Sequence, residues 1–365
     1  VRILLVSNMY PSQSSPSYGV FVKNTEKILI GIGHDVDKVV LYRNNNKLFK
    51  AINYMRYYFL ILYKGLFSEY DAIYVHYASH NAPVLLLLKL IKNDIKIYLN
   101  VHGSDIVPEN NRQERLQIFV RNLLKKCYKI IAPSNYFKNL IINKYKLEHK
   151  TIEIFPSGGV NPRTFNFIDD RQSLYKEFDL DKDYNYIGYV GRIDYNKGWN
   201  IFLESLFLLK QEGLLNDKKA IIVGNGKELE DFKTKLKGYS LEEDIIHFDL
   251  LPQDKLNKIF NIIDVLCFPT MREGESLGLV GLEAMACGTP VIGSEMAGLL
   301  DYLNHNENGL FFEPGNSKDL KERIKEYYSF PTQIRNNMKK SAISMAEKYS
   351  IDGINIKLKN IFIDK

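Results

Sequence analysis

REGESLGLVGLEAMACGTPVIGS, residues 272–294, is the stretch from which the fold of this chain is read. Just upstream, DVLCFPT (264–270) is a short β-rich apolar run that ends at Pro269, and a glycine-containing loop follows it. From Leu279 to Ala286 the residues are strong helix formers, and TPVIGS (289–294) is a second β-rich run. Strand, loop, helix and strand in that order predict a βαβ unit with parallel strands. The loop brings free backbone N–H groups to the start of a helix, where hydrogen bonding and the helix dipole both favour an anion. Glu275 precedes that helix and Glu283 lies about one turn inside it, so the two carboxylates are expected to face different parts of one ligand. In isolation the pair has a plainer reading, a dipole complement and a solvated helix face.

The same alternation extends in both directions. Toward the N-terminus, strands are expected at 3–7, 36–42, 72–77, 95–101, 129–134 and 152–157, each followed by a polar or glycine-containing turn and a segment of helical period. A second series is expected at 186–191, 219–224, 245–248, 264–270, 289–294 and 309–315. Between them, the polar segment 163–184 reads as a linker. Two α/β domains follow, 1–165 and 166–348, with a last apolar-periodic helix at about 349–365 that crosses back onto the first domain. A length of 365 residues suits two cores of ordinary size.

Composition narrows the class of protein. Hydrophobic residues at 45% and charged residues at 25% exclude a disordered or fibrous chain. Residues 1–160 carry 22 Lys and Arg against 11 Asp and Glu, whereas the remainder carries 27 against 32. A basic half meets nucleic acid, anionic lipid or a phosphorylated substrate, and sign alone does not choose. Cys127, Cys267 and Cys287 are odd in number and widely spaced, which favours a reducing, cytoplasmic setting. No basic-apolar leader is read before the strand at 3–7, and VLLLLKLI (84–91) falls short of the roughly 20 residues that span a bilayer. Asp179, Asp181 and Asp183 mimic the start of a calcium loop, but the loop glycine is missing and Val190 stands where the bidentate Glu belongs. No GxGxxG follows the first strand, which argues against a nicotinamide enzyme.

ESLGLVGLEAMACGTPV resembles the Glu-x7-Glu signature of family 4 retaining glycosyltransferases of the GT-B fold, including the flanking Gly278, Ala284, Met285, Gly288 and Pro290. Other segments resemble that family in the same order along the chain: the first strand and the loop of Gly19, the turn of Gly33, His34 and Val36, VHGSD (101–105), PSGGVNPRTF (156–165), VGRIDYNKG (190–198), VGNGKELEDF (223–232) and NGLFFEPGN (308–316). The resemblance implies two Rossmann-like domains with parallel sheets facing across a cleft, the acceptor bound by the first and a nucleotide-sugar by the second.

It also implies roles. Arg192 and Lys197 are expected to neutralise the diphosphate leaving group, so that neither a metal nor another cofactor is required. Glu275 is expected to hold hydroxyls of the donor sugar and Glu283 the ribose. His102 orients a sugar hydroxyl and supports charge at the anomeric centre rather than acting as a general base. Donor contacts are expected from Gly19, Gly224, Leu250, Leu251, Ser276, Leu277, Gly278, Leu279 and Val280. Two positions depart from the family: Leu250 stands where glycine is usual, so the nucleobase pocket is expected to differ in detail, and Tyr18-Gly19 replaces a Gly-Gly pair.

The implied reaction is retaining and front-face, with a phosphate oxygen taking the acceptor's proton. A glycosidase is disfavoured because its carboxylates must straddle the scissile bond. The competing readings are a nucleotide-sugar-binding scaffold without turnover and another GT-B enzyme such as a nucleotide-sugar epimerase. The expected acceptor is a saccharide or lipid-linked molecule. KLFKAINYMRYYFLILYKGLF (47–67) combines Lys47, Lys50, Arg56 and Lys64 with seven aromatics. It reads either as an ordinary helix packed on the sheet or as an interfacial helix on the anionic inner face of a membrane. Nucleic acid fits less well, since no recognition module accompanies the charge.

Overall fold

The computed structural model describes residues 1–15, 18–44, 46–156 and 158–362, and the Lys47 side chain is also outside the description. The chain divides into two compact units, Val1–Gly159 with the segment from Asp352 onward, and Val160–Ile351. The boundary thus lies a few residues before the expected one.

In the first unit the strands are β1 (Arg2–Tyr10), β2 (Asp35–Tyr42), β3 (Ala72–His76), β4 (Ile97–Asn100), β5 (Lys129–Ala132) and β6 (Ile152–Ile154). Between them run α1 (Val20–Gly31), α2 (Lys47–Phe67), α3 (Ala78–Ile91), α4 (Asn111–Lys126) and α5 (Asn135–Tyr145). All strands are parallel, in the order β2-β1-β3-β4-β5-β6. All of β3 and β4 is buried, because crossover helices cover both faces of a parallel sheet and alternation is lost. Polar residues start the helices: Asn46 accepts from the backbone N–H groups of Leu48 and Phe49, and Asn110 from those of Arg112 and Gln113.

The second unit has α6 (Arg171–Glu177), β7 (Asn185–Val190), α7 (Trp199–Gln211), β8 (Lys218–Val223), α8 (Leu229–Gly238), β9 (Ile245–Phe248) and α9 (Gln253–Ile262). It continues with β10 (Val265–Phe268), α10 (Leu279–Ala286), β11 (Val291–Ser294), β12 (Gly309–Phe312), α11 (Ser317–Ser329) and α12 (Thr332–Lys348). Its parallel sheet runs β12-β11-β10-β7-β8-β9. The strand order reverses between β7 and β10, and the crevice beyond the carboxyl ends of two such strands is where open α/β sheets bind ligands. The residues that follow β7 and β10 are therefore the first place to look.

The final helix, α13 (Ile351–Ile361), lies largely in the first unit. There Lys129 Nζ donates to the Ile361 carbonyl at 2.8 Å, and Phe362 packs against His34, Tyr74 and Tyr98. Residues 363–365 of the expected helix lie outside the described residues.

One expectation is corrected. Residues 163–184 are not a free linker: Phe165 and Leu174 are buried in the core of the second unit. Asn257 accepts from the Asn166 N–H at 3.1 Å, and Asn261 accepts from the Ile168 N–H at 2.7 Å while donating to the Asn166 carbonyl at 3.0 Å. Two buried asparagines of α9 thus replace the apolar periodicity that would have marked the segment as packed. Asn261→Ala is expected to lower the stability of the protein by about 2 kcal/mol, since it strands buried polar groups of the backbone. Urea unfolding measures this, and an unchanged midpoint would show that the segment is not held by Asn261.

Candidate functional site

A cavity of about 420 Å³ opens where the order of the second sheet reverses. On one wall stand Arg192 and Lys197, from the loop after β7, and on the other Glu275 and Ser276, from the loop after β10. Gly278, Leu279 and Val280 bring the start of α10 to the same space. Gly224 closes it from the end of β8, and Leu250 with Leu251 forms an apolar rim. Most of the donor contacts expected in this unit therefore converge.

The loops are held close by backbone geometry. Gly198 has φ 73°, and a Cβ there would lie 1.8 Å from the Pro269 carbonyl oxygen. A Cβ on Gly224 would lie 1.9 Å from the Gly191 carbonyl oxygen. Neither close approach admits a side chain. Tyr189, buried in β7, donates its hydroxyl to the Arg192 carbonyl at 3.0 Å and so fixes the cationic loop from beneath. Its position within a strand marks it only as core, and sequence reasoning passes it over.

Lys197 Nζ lies 2.5 Å from Glu275 Oε2. The carboxylate is 8% exposed, and the Thr270 hydroxyl donates to it at 3.4 Å. Burial opposes its ionisation, but the Lys197 ammonium, together with Arg272 and Thr270, holds the Glu275 carboxyl below its ordinary range. The sequence assigns these two residues to different parts of a ligand; the structure makes them a pair. Arg192 is more open and bonds to Asp194 at 2.8 Å. At the start of α10, Gly278 takes a left-handed φ of 76° and supplies no side-chain cap, so the backbone N–H groups of Leu279 and Val280, residues that line the cavity, have no capping side chain.

Two expected contacts are placed differently. Leu277 is buried at 3% exposure and packs into the core, so it does not line the cavity. Its neighbours face outward, and the irregular loop carries no period from which its direction follows. Glu283 lies on the face of α10 shared with Leu279 and Val280, one turn deeper. It has no ion-pair or hydrogen-bond partner among the described residues, and burial pushes its carboxyl up to about 8. Such a group is protonated at neutral pH and both donates and accepts hydrogen bonds.

Gly19 and His102 belong to the first unit. Gly19 precedes α1 with φ 77°, and a Cβ there would meet the Met9 backbone at 2.7 Å. His102 follows β4. Asp105 fixes its loop, accepting from the N–H groups of His102 at 3.0 Å, Gly103 at 2.9 Å and Ala78, the first residue of α3, at 2.9 Å. The His102 ring stands nearly parallel to that of His76, with Nε2 2.9 Å from His76 Nδ1, and Phe21 packs on it with ring centroids 4.5 Å apart. Burial pushes the His102 imidazole down to about 3, so it is neutral at physiological pH. His76, fully buried, was not singled out by the sequence because a histidine ending a strand reads as core.

Glu283 makes stability depend on pH with a definite sign. Folded protein keeps a proton that unfolded chains lose above about pH 4.3, so the penalty is absent below that value and grows until about pH 8. Relative to Glu283→Gln, the wild-type protein is expected to lose roughly 3–4 kcal/mol of stability between pH 5 and pH 8. Urea denaturation of both proteins at the two pH values measures the difference, and a constant difference refutes the assignment.

Comparison with known proteins agrees with this geometry. Residues 170–345 match the family Glycosyl transferases group 1, and residues 15–159 match Glycosyltransferase Family 4. An uncharacterized glycosyltransferase of Methanocaldococcus jannaschii is 28% identical over 309 residues, 83% of this chain and 78% of that protein. Among solved structures, the fold is similar to that of sucrose-phosphate synthase from Thermosynechococcus elongatus, with a TM-score of 0.82 at 18% identity over 99% of this chain and 98% of that one. It is also similar to HepE of Anabaena in complex with UDP-glucose, with a TM-score of 0.74 at 17% identity over 99% and 98% of the two chains. Two parallel six-stranded sheets, a cationic and N–H-rich cavity at the reversal of the second, and family matches to both halves identify the chain as a member of the family 4 glycosyltransferases of the GT-B fold.

Proposed function

We propose that the protein is a retaining, metal-independent glycosyltransferase that moves a hexosyl-type sugar from a UDP- or GDP-linked donor to a saccharide or lipid-linked acceptor, in the synthesis of cell-surface polysaccharide or glycolipid. The observation that carries this reading is the convergence of Lys197, Arg192 and the uncapped start of α10 around Glu275. Two cations and a helix N-terminus suit a diphosphate, on which charge accumulates as the bond to the anomeric carbon breaks. The leaving diphosphate competes with Glu275 for Lys197, and a carboxylate released from that pair accepts hydroxyl protons of the donor sugar. Glu283 is assigned to the ribose, and the apolar rim of Leu250 and Leu251 to the base. HepE, similar in fold, was solved with UDP-glucose, which favours uridine.

His102 supports the front-face route. An imidazole pushed down to about 3 does not retain a proton taken from an acceptor hydroxyl at neutral pH. It serves instead as a neutral hydrogen-bonding partner, and the departing phosphate oxygen takes the proton.

Because Lys197 and Glu275 are both largely buried, removing one strands the charge of the other. Glu275→Gln and Lys197→Gln are therefore the informative variants. Each is expected to lower kcat by at least about 10²-fold, and near-wild-type turnover in either defeats the mechanism. Activity is expected to survive excess chelator, and a strict divalent-metal requirement contradicts the roles given to Arg192 and Lys197.

We also place the first unit on an anionic membrane surface. Leu48, Ile52, Met55, Phe59, Tyr63 and Phe67 recur every three or four residues on one face of α2 and are all exposed, Leu48 and Phe67 at 76%. The opposite face supplies Tyr57 and Ile61 to the core. A helix apolar on both sides, with no acidic residue and with Arg56 exposed beside the outer stripe, matches a lipid interface better than water. Leu87, Leu90 and Ile91 are exposed on the adjacent α3. No helix among the described residues is long and apolar enough to cross a membrane. Cosedimentation with phosphatidylglycerol vesicles is expected, with little binding to phosphatidylcholine alone and loss of binding in the Ile52→Ser/Phe59→Ser double variant. Equal recovery of that variant and the wild-type protein on anionic vesicles would overturn the placement.

A further inference from the structure

Behind His102 the first unit carries a second histidine, His76, fully buried at the end of β3. β3 and β4 are neighbours with His76 opposite Asn100, so a ring that ends β3 meets one carried two residues past the end of β4. Both carriers are held in place. The Asn81 amide donates to the carbonyls of His76 at 3.0 Å and Tyr77 at 2.7 Å, and the buried Tyr57 hydroxyl donates to Asn81 at 2.7 Å. On the other side Asp105 accepts from the His102 and Gly103 N–H groups. Phe21 packs on both rings, with its centroid 5.8 Å from that of His76 and 4.5 Å from that of His102.

The two imidazoles meet edge to edge. Their planes differ by 16°, and His76 Nδ1 and His102 Nε2 are 2.9 Å apart. Stacked faces stay at about 3.5 Å or more, so this separation is a hydrogen bond in the common plane of the rings. It occupies Nε2 of His102. Nδ1 has no partner among the described residues and is the ring nitrogen left free to meet a ligand.

Accounting for the protons fixes the direction of the bond. Burial lowers the affinity of both rings for a second proton, so each carries one N–H. If His102 donated, the His76 proton would sit on Nε2, which is buried and has no hydrogen-bond partner. Orphaned buried N–H groups are rare in folded proteins, and the Tyr74 ring, in a T-shaped contact with centroids 5.0 Å apart, offers such a proton only a weak acceptor. If His76 donates instead, its Nε2 is a bare lone pair and no N–H is stranded.

We propose that His76 is a positioning residue for His102: it donates Nδ1–H to His102 Nε2 and so commits His102 to present an Nδ1–H donor to an oxygen of the transferred sugar. The hydrogen bond made at one ring nitrogen decides which form the other takes. A donor orients a hydroxyl through its oxygen and turns no lone pair toward the anomeric carbon, so the part of His102 is orientation rather than support of charge. The sugar rests on the glycosyltransferase reading; the tautomer rests on the contact with His76 alone.

The test labels the histidines of the full chain isotopically and records proton–nitrogen correlation spectra of the imidazoles at neutral pH without ligand. The His102 signals, identified as those lost in His102→Gln, are expected to show the Nδ1–H tautomer. The Nε2–H tautomer in the wild-type protein overturns the proposal, and this outcome needs no variant at His76. His76→Leu removes the donor, and His102 is expected to lose its exclusive Nδ1–H pattern; His76→Asn, whose amide N–H replaces Nδ1–H, is expected to retain it. In the release of UDP from UDP-glucose, with water as acceptor, kcat is expected to fall about tenfold in His76→Leu and to recover in His76→Asn. An unchanged His102 pattern in His76→Leu, or equal losses of turnover in the two variants, also overturns the proposal. Unchanged affinity for UDP shows that the second unit is intact in both. Absence of UDP-glucose turnover in the wild-type protein would instead remove the sugar from the reading, and the spectra would still decide the tautomer.

Discussion

The second unit is organised around one buried ion pair, Lys197 with Glu275. The two residues are 78 positions apart and come from loops that end different strands, β7 and β10, which are neighbours in the sheet. Neither charge has a good alternative: each is largely withdrawn from water, and each would be costly to leave alone. Gly198 follows Lys197 directly and allows the chain to pass against the Pro269 carbonyl, so the pair is held by close backbone contact as well as by attraction. The cationic wall and the uncapped start of α10 thereby acquire a fixed separation. The cavity is a consequence of that spacing.

Electrostatic roles divide sharply along the chain. In the second unit the positive groups at the cavity are few, placed and partly neutralised, by Glu275 and Asp194, which suits a ligand that must bind, react and leave. In the first unit the positive charge is broad, with 22 Lys and Arg against 11 Asp and Glu over residues 1–160. Its histidine pair tells the opposite story: His76 and His102 sit together under Phe21 with burial keeping both imidazoles uncharged, so the basic unit has a neutral polar centre.

Much of this was legible in the sequence, for identifiable reasons. All twelve strands stand close to where β-branched runs put them, because a strand covered on both faces must be apolar throughout, and such runs are conspicuous. The order of the strands was not legible, since pairing between β7 and β10 leaves no local mark. Segment 163–184 was misread because its anchors, Asn257 and Asn261, are polar and lie on a distant helix. At the site, Arg192, Lys197, Glu275 and the start of α10 came from motif resemblance and local helix logic. The inward turn of Leu277, the buried phenol of Tyr189 and the neutral state of Glu283 depend on tertiary surroundings that no short window contains. For α2 the sequence supplied both faces and could not say which one met water.

The course of the chain has a consequence for its own synthesis. Val160 exchanges backbone hydrogen bonds with Tyr349 and Ile351, so the polypeptide leaves the first unit and re-enters it at almost the same point. Phe362, packed among His34, Tyr74 and Tyr98, is made about 200 residues after the rest of that unit. A ribosome emitting this chain therefore exposes an N-terminal sheet with a gap in its packing while the whole second unit emerges and closes. Completion runs backwards: the later unit finishes first, and the earlier one waits for the last turn of helix to seal it.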